Sequence, residues 1–172
     1  MTNPAPLGAA EELPREQVER FDRELAEIVK RYPPDRKAAA MLPAIRLGQE
    51  VFGYASPAVQ KLAADRLGVS PARAEEVATF YVMFHTEPLG RHLVEICTNV
   101  SCCLSGAERI FEELKAKLGV DNGGTTADGR ITLREVECLG SCGTAPAMLL
   151  DEQEMIERLD LQKVEQIVGG LK

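Results

Sequence analysis

Tryptophan is absent from this 172-residue chain, aromatic residues make up only 5%, and histidine occurs twice. The core must therefore rest on Leu, Val, Ile and Ala. Basic residues are outnumbered by acidic ones, 20 against 27, for a net charge of −7. That sign argues against nucleic acid as a partner, because phosphate binding needs a basic face, and leaves protein partners open. No run of 18 apolar residues occurs, so no membrane-spanning helix is expected. The N-terminal stretch MTNPAPLGAAEELPREQ has no basic segment followed by an apolar one, and it is acidic and poor in Arg. Neither a secretory signal nor a transit peptide is expected, and the reading is cytoplasmic. Neither G-x-G-x-x-G nor a P-loop is present, so no nucleotide site of those kinds is expected. C-x2-C is also missing, which disfavours a thioredoxin-type dithiol.

Five cysteines are present, and none precedes Cys97. That asymmetry divides the chain. Residues 1–13 are expected to be disordered or extended, 14–87 to form a helical domain, and 88–172 to form a mixed domain. In the segment from Pro14, Val18, Phe21, Leu25, Ile28 and Val29 recur at helical spacing, and Tyr-Pro-Pro at 32–34 ends the run. Residues 35–53 predict a second helix that Pro43 kinks or splits. Two further helices, over 56–68 and 70–84, start at Ser56-Pro57 and Ser70-Pro71, each with serine at the N-cap and proline at the first helical position. Gly68 closes the first of these.

The pattern changes after Pro88 and Gly90. Residues 92–97 alternate as a strand, and 105–119 form an amphipathic helix with Ile110, Phe111, Leu114 and Leu118 on one face. Residues 120–130 are a Gly/Thr/Asp loop, 131–138 a second strand, and the segments around Glu152–Gln153 a hairpin. A last helix is capped by Asp160. The fold class is α+β: a helical domain followed by β-α-β-β-β-α.

In this reading Cys97-x4-Cys102 and Cys138-x3-Cys142 both fall just past strand ends, with Cys102 before the following helix. Neighbouring strands would bring all four thiols to one end of the sheet. Four thiolates at one point need a positive centre, because like charges repel. Neither loop contains a basic side chain. Gly106, Gly140, Gly143, Ser101, Ser105, Ser141 and Thr144 leave room for backbone N–H groups to approach sulfur, so peptide dipoles would offset the charge. In a reducing compartment clustered cysteines bind metal or do redox work more often than they form disulfides. On spacing alone a [2Fe-2S] cluster, a four-cysteine zinc site and disulfides or free thiols all remain open.

The residues CTNVSC and SGAE, followed by TTADGRITLREVECLGSCGTAPAMLLDE, resemble the thioredoxin-like [2Fe-2S] ferredoxins. The nearest likeness is to the NuoE family of NADH:quinone oxidoreductase (complex I) subunits. RYPPDRKAAAMLPAIRLGQEVFG and the ATFYVMF run resemble that family's N-terminal helical domain, so the likeness covers roughly residues 20–172. It implies a thioredoxin-like sheet and one [2Fe-2S] cluster held by Cys97, Cys102, Cys138 and Cys142, with Cys103 outside the ligand set. It implies an FMN/NADH-binding flavoprotein partner (NuoF-like) among other subunits, and no nicotinamide site or catalytic residue on this chain. NADH would reduce FMN in the partner, and the cluster would accept electrons one at a time as part of NADH dehydrogenase. It implies a place peripheral to the cytoplasmic face of the inner membrane, held through partner subunits. Cys142-Gly-Thr-Ala-Pro146 departs from the C-x-N-A-P of many complex I members. The equivalent subunit of an NAD-dependent formate dehydrogenase or bifurcating hydrogenase is therefore an alternative. Two other readings are a zinc-bound structural adaptor and a free-standing ferredoxin, the latter disfavoured by the long helical extension.

Other residues take plainer readings. Cys103 is expected to be a partly buried residue at a helix start. His85 and His92 are expected to be surface or packing residues. Thr79, Phe80, Tyr81 and Phe84 read as core before partner face. Pro146 suits a cis peptide or a strand entry equally.

Overall fold

The computed structural model describes residues 12–172. The expected extended segment 1–13 therefore lies almost wholly outside the described residues. The chain divides into two compact units, the first ending at Pro88 and the second spanning Leu89–Lys172.

The first unit is helical: α1 (Arg15–Val29), a 3-10 segment (Pro34–Ala40), α2 (Met41–Phe52), α3 (Pro57–Leu67) and α4 (Pro71–Phe80). The second expected helix is split rather than kinked. Arg36 leaves helical geometry, and α2 starts only at Met41, so Pro43 falls within its first turn. The N–H groups there have no partner inside the helix, so proline costs nothing. Ser56 and Ser70 cap α3 and α4 by accepting from the N–H groups of Val59 and Arg73. Gly68 closes α3 in the left-handed region. Phe21, Leu25, Met41, Ile45, Leu47 and Phe84 supply the larger buried side chains of this core.

The helix expected to run through Phe84 stops at Phe80, because Tyr81 is extended. Helical spacing no longer applies past that point. Phe84 turns inward, while Phe80 and Val82 are 76% and 73% exposed and Thr79 and Tyr81 are also exposed. The core reading of this run therefore holds only for Phe84.

Gly48 in α2 faces Val59 of α3, and a Cβ there would collide with Val59 Cγ1. Overpacking costs about 1–3 kcal/mol, against about 1 kcal/mol gained by replacing a helical glycine. Val59 is fully buried and β-branched, so it yields poorly. Gly48→Ala is expected to lower stability by about 1–2 kcal/mol in chemical denaturation, with recovery in the Gly48→Ala/Val59→Ala pair. An unchanged midpoint in the single variant would refute this close-packing account.

The second unit is built from β1 (His92–Cys97), α5 (Val100–Leu104), α6 (Ala107–Leu118), β2 (Ile131–Val136), β3 (Ala147–Leu150), β4 (Glu154–Glu157) and α7 (Leu161–Gly170). The sheet order is β2-β1-β3-β4. β1 and β2 are parallel, with Cys97 level with Val136, while β1–β3 and β3–β4 are antiparallel. This is the expected β-α-β-β-β-α order with one short helix, α5, added. Val94, Ile96, Ile131, Leu133 and Met148 of the sheet pack with Phe111 and Leu114 of α6 and Val164 and Val168 of α7. Asp160 caps α7 by accepting from Lys163 N–H at 2.7 Å. The second strand ends two residues earlier than expected, so Cys138 lies in the loop beyond it. There the Glu137 carbonyl accepts from the Asn99 side chain at 2.7 Å.

Candidate metal centre

Parallel pairing puts the C-terminal ends of β1 and β2 side by side, and both cysteine loops leave from that edge. Thr98 N–H donates to the Val136 carbonyl at 3.1 Å and continues the ladder by one residue. Asn99 then ties the loops together. Its amide nitrogen holds Glu137 O, while its side-chain oxygen accepts from Val100 N–H at 2.9 Å and caps α5. Cys102 is therefore inside a one-turn helix rather than before one.

Cys97 and Cys102 are buried, and Cys138 and Cys142 are exposed. The Cys97 and Cys102 thiols are close enough to shift each other's titration. Burial pushes the Cys97 thiol up, but donors from the Asn99 and Leu139 backbones, together with Cys102, outweigh it and bring Cys97 below the usual thiol range. Burial pushes Cys102 up, and the neighbouring Cys97 thiol adds to this. The Ala147 N–H acts in the opposite sense, while the nearby Cys142 charge raises it further. Cys142 thus lies within electrostatic reach of Cys102. Cys138 receives the Gly140 N–H at 3.3 Å. Gly140 has φ +75°, a conformation that favours glycine.

Among the described residues, no three His, Cys, Asp or Glu side chains are closed around a point that would hold a metal ion. Cys97 and Cys102 are brought together with Cys142 nearby, and Cys138 lies on the adjoining loop. The donor set still suits an anionic iron–sulfur centre. All four side chains are thiols, the Gly140 N–H donates to the Cys138 sulfur, and the Asn99 and Leu139 backbones act to lower the Cys97 thiol. Peptide dipoles stand where no basic side chain is available, as the loop composition implied.

Cys103 is partly buried, and its thiol donates to Thr98 O at 2.9 Å. Burial first, and the Glu108 carboxylate second, push it up. His85 is buried, and its backbone N–H donates to the Gln49 side-chain oxygen. His92 bonds Asp151 at 2.9 Å. Both histidines act in packing. The Ala145–Pro146 peptide is cis.

Sequence reasoning missed Asn99 and a group formed by Ser141, Thr144 and Glu157. The Thr144 hydroxyl lies 2.6 Å from Glu157 Oε1, which Ser141 also contacts. Ser141 and Thr144 were visible as small loop residues. Glu157 carries no local signal, because strand pairing alone brings it to the loop.

No helix among the described residues is long and apolar enough to cross a membrane. The family model for thioredoxin-like [2Fe-2S] ferredoxins matches residues 25–172. An NADH-quinone oxidoreductase subunit of Mycobacterium tuberculosis is 36% identical over 165 residues, 96% of this chain and 64% of that protein. The chain therefore spans somewhat less than two thirds of that relative. The NADH-quinone oxidoreductase subunit of the same name from Rickettsia bellii is 38% identical over 158 residues, 88% of this chain and 93% of that one. An NAD+-reducing [NiFe]-hydrogenase structure shares the fold at a TM-score of 0.65 and 22% identity, over 76% of this chain and 22% of that chain. The parallel β1–β2 edge with its two cysteine loops and the match across residues 25–172 agree: the chain belongs to the thioredoxin-like [2Fe-2S] ferredoxin family, whose cofactor is a [2Fe-2S] cluster.

Proposed function

We propose that this chain is the electron-transfer subunit of an NADH:quinone oxidoreductase, holding its [2Fe-2S] cluster on Cys97, Cys102, Cys138 and Cys142. The observation that carries this reading is the parallel β1–β2 edge from which both cysteine loops leave, with the buried Cys97 and Cys102 on one loop and the Gly140 N–H turned toward Cys138 on the other. When bound, the cluster supplies one-electron capacity. The chain supplies the setting. Cys97 and Cys102 keep water from one side, and the exposed Cys138 and Cys142 leave the other side open to a docked partner. The backbone donors offset the charge of the thiolates without a cationic side chain.

The partner in this reading is a NuoF-like flavoprotein that binds FMN and NADH, and any membrane association runs through other subunits. The helical domain, residues 14–87, is the docking element. Exposed Phe80 and Val82 support that role, since large apolar side chains in water mark binding surfaces. Removing residues 1–86 is expected to abolish co-purification with the flavoprotein. Full retention would end the docking role.

The cluster is tested on anaerobically purified full-length protein by metal analysis and EPR before and after dithionite. Two irons and two sulfides per chain, with a signal only in the reduced state, are expected. One zinc and a silent spectrum would replace the electron carrier by a structural adaptor.

A further inference from the structure

A carboxylate from outside the second cysteine loop holds that loop in place. Glu157 ends β4, and its Oε1 accepts from the hydroxyls of Ser141 and Thr144, the latter at 2.6 Å. The two hydroxyl oxygens are themselves 2.6 Å apart. Ser141 immediately precedes Cys142, and Thr144 closes the 3-10 turn Cys142–Thr144. The backbone fixes the same geometry. Thr144 N–H donates to Ser141 O at 3.1 Å, and Arg158 N–H donates to Thr144 O at 2.8 Å. Lys163 Nζ donates to the Glu157 carbonyl at 2.6 Å.

Each hydroxyl carries one proton. A hydroxyl that donates to Glu157 does not donate to a cysteine sulfur. Hydrogen bonds to sulfur and the net charge of the surroundings are two of the levers that set a cluster's potential. Here the first is withheld at two positions beside Cys142. The second is shifted toward negative by the carboxylate, and both act against adding an electron. The Ser141 and Thr144 hydroxyls, with Arg158 and Lys163 nearby, hold the Glu157 carboxyl below the usual carboxylate range, so it carries its charge at neutral pH.

We propose that Glu157 is a positioning residue that lowers the reduction potential of the cluster, by occupying the Ser141 and Thr144 hydroxyls and placing a negative charge beside the Cys142 turn. The inference rests on the ligand assignment proposed above. Glu157 touches none of the four cysteines and acts through the loop that carries one of them.

The test is an EPR-monitored redox titration of the full-length chain with its cluster assembled anaerobically, for wild type, Glu157→Gln and Glu157→Ala. Glutamine keeps an acceptor for the hydroxyls and removes the charge, while alanine removes both. Both midpoints are expected above wild type, alanine at least as far as glutamine. The expected size is up to about tenfold in the ratio of reduced to oxidised cluster at a given potential, about 59 mV for one electron. Equal iron content with midpoints coincident with wild type would overturn this inference and leave the ligand assignment standing. Wild type that takes up no reducible cluster would overturn both. Wild type that loads while neither variant does would also overturn it, making Glu157 a requirement for assembly rather than a setting of the potential.

Discussion

Cys102→Ser is expected to abolish stable cluster binding while leaving the chain folded. Cys102 is 2% exposed and held in α5, which the Asn99 side chain caps. Serine is close in volume, so the packing against the sheet survives. An alkoxide is a harder, far more basic donor than a thiolate and suits iron–sulfur chemistry poorly. Loss of outer-shell partners alone costs about 10–100-fold in metal affinity, so loss of a ligand should cost more than about tenfold in retained iron. Cys103→Ser is the matched control. Its thiol is turned to the Thr98 carbonyl, and its replacement is expected to leave iron content and the EPR signal intact. Iron, sulfide and circular dichroism measured together decide the matter. A Cys102→Ser protein with full iron and an unchanged signal would remove Cys102 from the ligand set. If the double variant Cys102→Ser/Cys103→Ser then lost that iron, Cys103 would be the substitute ligand.

Arg134→Met is expected to destabilise the second unit by about 3 kcal/mol, the low end of the cost of breaking a buried ion pair. Glu95 of β1 and Arg134 of β2 are level in the parallel register. Arg134 Nε donates to Glu95 Oε1 at 2.9 Å, and Nη2 reaches the same oxygen at 2.5 Å. Glu95 is 4% exposed, so losing the cation leaves a carboxylate with little access to water. Arg134 retains some exposure, which screens the pair and argues for the lower figure. Glu95→Leu/Arg134→Met should recover most of the loss, because a well-packed apolar pair of similar volume commonly equals a buried ion pair. Because the chain has two units, a single unfolding midpoint is a poor readout. Hydrogen exchange at β1 and β2 amides measures the effect locally. Protection unchanged in Arg134→Met would show that the pair does not hold the strands. The same strands lead directly into the cysteine loops, so a loss of protection should be accompanied by weaker cluster retention.

The elements legible in the chain were those with local causes. Ser56-Pro57, Ser70-Pro71 and Asp160 announce helix starts through their own side chains and ring geometry, and the structure uses all three as caps. The run 92–97 was legible as a strand, although the alternation expected of it fails because Glu95 is buried with its neighbours, and the spacing of Ile110, Phe111 and Leu114 marked α6. The split before α2 was half legible: Pro43 signals an interruption, but the departure of Arg36 from helical geometry has no local signature. The one-turn helix α5 escaped notice because five residues carry too little periodicity to detect. Phe80 misled for a related reason: spacing predicts burial only while the helix continues, and the chain leaves it at Tyr81.

By itself the amino-acid sequence determined the helical first half, the β-α-β-β-β-α order of the second and the four cysteines in two loops, together with the family resemblance that names a [2Fe-2S] cluster as the cofactor. These follow from neighbours along the chain, where capping, turn chemistry and period act within a few residues. Tertiary structure alone decided that β2 lies parallel to β1 with Val136 level with Cys97, so that the two loops share an edge. It also decided that Glu95 meets Arg134, that Asn99 bridges to Glu137, and that Glu157 reaches Ser141 and Thr144. Those partners lie 13 to 39 residues apart in the chain. Their contact depends on strand register and loop closure, which are set by the burial of the whole sheet and by no residue's immediate neighbours.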